Sequence, residues 1–394
     1  MMRFRCFANK TRAELERFIR MHFRPLAGIL FLLVLHILPL PAQDYAQFNV
    51  FLDQNFASAD QTVELFGGLS GHPDQVARLR GSQIALATTE YLAQRPLGFE
   101  DLEQSLEAAK YNQSQGDDPF RIGEARSNVG AIKELLVALR QRNFGQKVVS
   151  TVEQLFPPNA RVTTRIPVYF VAFGHQNIDA YVQRIIWRGD TPQFVGEGQG
   201  EVTIVVNLSK AVGYGRELDE RFIWLMSVVA HEVFHAAFGA YKDTSPVWRQ
   251  YYAMRHTNLD RLFDLAHNEG IAYYLTLIQR TRGRLVMDWP DRVRTAFADF
   301  NRNSEELLSP RTSPNRIADL IRTANTSEYW QNYGAITGMI IARQIDNTFG
   351  RAALSETIAN GPIDFFLKYI EVMKQQTDYP QLSPTLVQYI QQRR

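Results

Sequence analysis

The chain has 394 residues, 43 Lys and Arg against 41 Asp and Glu, and 45% apolar content, enough to bury one large core or two smaller ones. With 12% aromatic residues and only 24 Gly and 17 Pro, it is neither disordered nor collagen-like. The first 42 residues carry seven of the bases and two of the acids. The remainder is therefore close to neutral and has no Lys/Arg block, which leaves nucleic-acid binding without an electrostatic basis.

Leu26 to Leu38 is an apolar run broken only by His36, preceded by Arg24 and followed by Pro39, Leu40, Pro41 and Ala42. That anatomy predicts a signal peptide over residues 1–42, with Met21 as an alternative start. A membrane-spanning helix needs about 20 apolar residues, more than this run offers, so no stable membrane insertion is expected after cleavage. Cys6, the only cysteine, lies upstream of the run, so the mature chain has no disulfide and no lipidation cysteine. A secreted or periplasmic, soluble protein is the expectation; its oligomeric state leaves no trace in the sequence.

Residues 43–155 read as an N-terminal helical region, with apolar spacings of three and four from Gln75 to Leu92 and from Ile122 to Leu139. Asn112 to Pro119 is polar, with Gly and Pro, and is expected to be an exposed loop. Residues 156–394 read as a catalytic region forming one compact unit with those helices. Within it, Pro167 to Phe173 and Glu201 to Leu208 have strand composition, and Gly196 to Gly200 between them reads as a hairpin turn. From about Glu217 the pattern is helical to the end. The predicted fold is therefore α+β, predominantly helical, with a small sheet.

Leu218 to Ala240 is a long apolar helical pattern with Gly239 as its stop signal, and it contains His231-Glu232-Val233-Phe234-His235. Positions i and i+4 share a helix face, so two imidazoles can reach one metal ion at about 2.0–2.1 Å. Catalytic zinc takes three protein ligands and leaves a position for water. A histidine third ligand in metzincin spacing is excluded, because Phe238 and Tyr241 stand where Gly and His are needed. The first glutamate past His235 is Glu269, within Asn258 to Gln279. Its helical neighbours Leu265, Ala266, Ala272 and Tyr273 are apolar or small, so its carboxylate would be buried and would need a cation. Gly270 is expected to give the HExxH helix room beside it. The competing ligands Asp260, Asp264 and His267 line another helical face, polar enough to be solvated, and His256 flanks the same helix. His72 and His175, like His256 and His267, read as structural.

HEVFH followed by NEGIAYYL resembles the gluzincin metallopeptidases, and more narrowly zinc-dependent peptidase families of unknown function with an HExxH and EGxA-type pattern. The strong resemblance spans about Arg216 to Leu277. It implies a zincin-like core, zinc as cofactor, His231, His235 and Glu269 as metal ligands, and Glu232 as catalytic base. A substrate-reading GxMEN motif is absent, as is the Asp one turn after the third ligand, where this chain has Tyr273. Tyr333, in the segment Glu328 to Arg343, is similar to a tyrosine of those families and is a candidate oxyanion donor beside a packing role for it and Tyr329.

These residues lead to an exported zinc metallopeptidase acting on a peptide or protein substrate, with Glu232 moving the proton of an activated water. The strand at Glu201 to Leu208 is expected to be an edge that aligns the substrate. The alternatives are a zinc hydrolase of a non-peptide amide and a non-catalytic exported binding protein that retains HExxH.

Overall fold

Two apolar rhythms, period two and period 3.6, sort the chain into a sheet and the helices around it. The computed structural model describes residues 48–394 except 69–70, 114–115, 177–178, 197, 255–256, 282–288, 326–331, 377 and 394. The predicted leader, His256 and Tyr329 lie outside the described residues. Strand β1 (Phe48–Asn55) precedes α1 (Ala57–Phe66), α2 (Pro73–Arg78), α3 (Arg80–Ala93), α4 (Phe99–Lys110), α5 (Ile122–Ser127), α6 (Val129–Gln141) and α7 (Phe144–Glu153). Then come β2 (Val162–Val171), β3 (Ala180–Arg188), β4 (Thr191–Phe194) and β5 (Glu201–Asn207), followed by α8 (Leu208–Ala211) and a 3-10 turn at Val212–Tyr214. The C-terminal half is helical: α9 (Leu218–Thr244), α10 (Pro246–Met254), α11 (Asn258–Thr281), α12 (Trp289–Leu308), α13 (Pro314–Thr323), α14 (Tyr333–Phe349), α15 (Arg351–Asn360), α16 (Pro362–Gln375) and α17 (Pro384–Gln391). The fold is α+β and predominantly helical, and residues from Ala46 onward form one compact unit.

The sheet has the order β1-β2-β5-β3-β4. β1, β2 and β5 are parallel, while β3 runs antiparallel to both β5 and β4. Ile166 to Val171 of β2 are all buried, as a central strand covered on both faces requires.

Several local expectations are corrected by this topology. Phe48–Asn55 is a strand and not part of the helical region: Val50 and Leu52 are buried while Phe51 between them is 60% exposed, the alternation of an edge strand. The helical stretches at 75–92 and 122–139 are each broken, at Leu79 and Asn128. Gly196 to Gly200 does not close a hairpin; the hairpin is β3–β4, and this segment carries the chain from β4 past β3 to β5. β5 is consequently interior, between β2 and β3, and cannot be the substrate edge. Helix α9 runs through Gly239 to Thr244. A mid-helix glycine costs about 1 kcal/mol, and buried Val233, Phe234, Ala237 and Phe238 around it outweigh that cost.

Aromatic contacts fix α9 in place. Phe222 meets Phe144 of α7 edge-on, and Phe234 and Phe238 pack on Phe156. α9 lies against β2, β3 and β5 on one side and α11 on the other, and α11 in turn packs against α14. Gly270 serves this second contact, facing Gly338 of α14 and not the HExxH helix. The expectation placed Gly270 on the wrong neighbour, because a helix has two sides and a small residue does not say which is approached.

Candidate metal centre

His231 and His235 project from one face of α9 toward α11, where Glu269 faces them. The two Nε2 atoms are 3.0 Å apart, and Glu269 Oε2 lies 3.3 Å from His235 Nε2 and 3.7 Å from His231 Nε2. Tetrahedral coordination at about 2.0–2.1 Å separates ligand atoms by about 3.3 Å, and these spacings bracket that value. The donors, two imidazoles and a carboxylate, are a set that catalytic zinc accepts. The three side chains are 14–17% exposed, so the cluster is largely buried yet open to solvent.

The surroundings orient the two imidazoles. His235 Nδ1 is 3.2 Å from Asn268 Oδ1, the arrangement that holds a ring with its Nε2 lone pair directed at a metal. The ring of His231 meets Tyr273 edge-on at 4.9 Å. Burial opposes charge on His235, but the Glu269 carboxylate, its hydrogen bond and Glu232 outweigh it and raise the imidazole to about 9. Burial likewise opposes charge on Glu269, and the two histidines nonetheless hold its carboxyl well below the usual range. Glu232, half-buried, is raised by burial and by the carboxylates of Glu269 and Asp179, against the two histidines. A divalent cation would act on Glu232 in the opposite direction.

Residues 74–378 match the family described as "Putative zinc dependent peptidase (DUF5700)". The chain belongs to this family. No curated protein and no solved structure matches it. The family is described as zinc-dependent, and His231, His235 and Glu269 lie close enough together at the α9–α11 contact to hold a metal ion.

The rival ligands on α11 are engaged elsewhere, and the face expected to be solvated is not. Asp260 is fully buried, bonded to Thr257 and Tyr389 and paired with Arg393 at 2.9 Å. Asp264 pairs with Lys242 at 2.6 Å. His267, also fully buried, stacks on Trp248 and places Nε2 3.1 Å from Thr357 Oγ1. Tyr333 is not brought to the cluster: its buried hydroxyl donates to the Leu320 carbonyl at 2.7 Å, and its ring meets Phe300.

Sequence reasoning missed Asn268, which sets the His235 ring. It adjoins Glu269 in the chain, and that adjacency was its signal.

Proposed function

We propose that the chain is an exported zinc-dependent peptidase in which His231, His235 and Glu269 hold the ion and Glu232 carries the proton. The observation that carries this reading is the spacing of the three ligand atoms across two packed helices, inside a family described as zinc-dependent peptidases. Zinc bound there supplies Lewis acidity, acidifying water and polarising a carbonyl. Glu232, one residue from His231, takes the proton of the attacking water and delivers it to the leaving amine. Asn268 keeps His235 in the tautomer that ligates.

The substrate edge assigns best to β3. Its pairing with β4 covers only Ile185–Arg188, and Val195 N–H donates to the Arg184 carbonyl at 3.0 Å. By strand alternation the backbone groups of Val182 and the Ala180 carbonyl point the same way, along an edge that no described strand occupies.

Purified protein should contain about one zinc per chain and cleave peptides. Glu232→Gln should keep the zinc and lose on the order of 10²- to 10⁴-fold in rate. A Gln variant with full activity, after contaminating proteases are excluded, refutes the mechanism. The export half of the proposal is read by mass spectrometry of the mature N-terminus, expected near Ala42.

A further inference from the structure

A cavity of about 470 Å³ lies beside the 3-10 turn and the start of β3, lined in part by Asp179, Tyr214, Lys210 and Glu124. Asp179 is held rigidly. The Tyr214 hydroxyl donates to its Oδ2, the Ala180 N–H donates to its Oδ1 at 2.9 Å, and its own carbonyl accepts from Asn207 N–H at 2.8 Å. Both donors to the carboxylate are neutral. Lys210, the cation in the lining, sits 3.6 Å from Glu124 Oε2, an oxygen that also accepts from Arg121 at 3.1 Å. Among the described residues no cation lies within ion-pair distance of Asp179. Arg280, whose charge reaches Tyr214, has its guanidinium over the Trp224 ring at 3.9 Å and its Nε on Ser227 Oγ at 2.8 Å.

The position of this carboxylate matters as much as its charge. Because Asp179 caps the Ala180 N–H, it closes one end of the open β3 edge, where an aligned peptide would stop or turn. Tyr214 packs at 6.0 Å on Trp224, which stands two turns before His231 on the same face of α9. Burial and the Asp179 carboxylate push the Tyr214 phenol upward, so it remains a neutral donor.

Resting on the peptidase reading for its substrate, we propose that Asp179, braced by Tyr214, is a specificity-determining residue that selects peptides carrying a cation at the end of the segment aligned on β3. An α-ammonium and a Lys or Arg side chain offer the same chemistry to a rigid carboxylate. Burying Asp179 under a neutral side chain would leave it without a counter-charge, so neutral peptides are disfavoured as well as cationic ones favoured.

The test measures binding apart from turnover. In zinc-loaded Glu232→Gln protein, which leaves peptides intact, calorimetry compares short neutral peptides with counterparts carrying one Lys walked through each position, each with a free or acetylated amino end. One cationic series should bind about tenfold tighter or more. Preference for the free amino end assigns an N-terminal site, and preference for one Lys position assigns a side-chain site. Adding Asp179→Asn should erase the preference, cationic peptides losing affinity and neutral peptides binding at least as tightly as before. Equal affinity of all peptides, no binding by any, or a preference that survives Asp179→Asn overturns the proposal. Wild-type protein that binds with this preference but cleaves nothing sinks the peptidase reading and leaves the cation site standing.

Discussion

Replacing Gly338 by Ala tests whether the metal centre depends on the helix contact behind it. A Cβ at residue 338 would overlap the Ala266 carbonyl and come within 2.9 Å of Gly270 Cα. Both obstacles are backbone, so no rotamer relieves them, and α11 must retreat from α14 by roughly 1.5 Å to restore ordinary contact. Overpacking of this kind costs about 1–3 kcal/mol, and the rigidity of the obstacles places it near the top of that range. Ala returns about 1 kcal/mol of helix propensity, leaving a net loss of about 2 kcal/mol. With an unfolding entropy of about 2.1 cal/mol/K per residue, a unit this size should lose about 3 °C in Tm. Zinc affinity should suffer out of proportion, because ligand distances tolerate about ±0.2 Å and Glu269 precedes Gly270 on the displaced helix. We expect at least a tenfold weaker affinity by competition with a chromophoric chelator. Gly239→Ala is the control: its Cβ meets nothing within 4 Å, so it should stabilise by up to about 1 kcal/mol and leave zinc alone. A Gly338→Ala protein with wild-type Tm and zinc affinity would refute the argument.

Three further outcomes follow from the same geometry. Glu269→Ala should strip or greatly weaken zinc while Asp264→Ala retains it, as read by metal content after dialysis; the opposite pattern moves the third ligand. Burial holds His267 well below its ordinary value of 6.5, so its contribution to stability is complete above that pH and is lost as pH falls beneath it, by up to about 1.4 kcal/mol per unit. His267→Phe keeps a ring against Trp248 and cannot titrate, so the gap in Tm between wild type and variant should change from pH 7.5 to 5.5; parallel curves would contradict this. Tyr333→Phe should lower stability by about 1 kcal/mol, since it strands the Leu320 carbonyl, and should leave kcat unchanged. A large loss of kcat with intact stability would return Tyr333 to the site.

What the sequence revealed of the site was what a single helix determines. His231 and His235 share a face by helical geometry alone, and Glu269 stood out as a carboxylate among apolar neighbours. What it hid depends on which other element arrives at a face. Asp260 and His267 had the periodicity of a wet surface, but Asp260 is answered by Arg393, 133 residues away, and His267 by Trp248 and Thr357. The strands divide in the same way. β2 and β5 have dense apolar runs because both faces are covered, whereas β1, β3 and β4 are half-exposed or short and their alternation is lost among polar residues.

As the proposed third ligand, Glu269 also explains why a helix pair, and not a loop, presents this site. A carboxylate at Glu269 sits largely out of water, and such a charge is expensive unless a cation is held against it. His235 can supply that cation as a proton, and a divalent ion supplies it more strongly; either demands that α11 stay within hydrogen-bond reach of α9. The Gly270–Gly338 contact secures the far side of α11, and the Phe144, Phe156, Phe222, Phe234 and Phe238 cluster secures the far side of α9. The ligand atoms are thus spaced by the packing of the core on both flanks. Mutations that touch neither ligand nor substrate should accordingly act on metal affinity in proportion to how far they move one helix past the other.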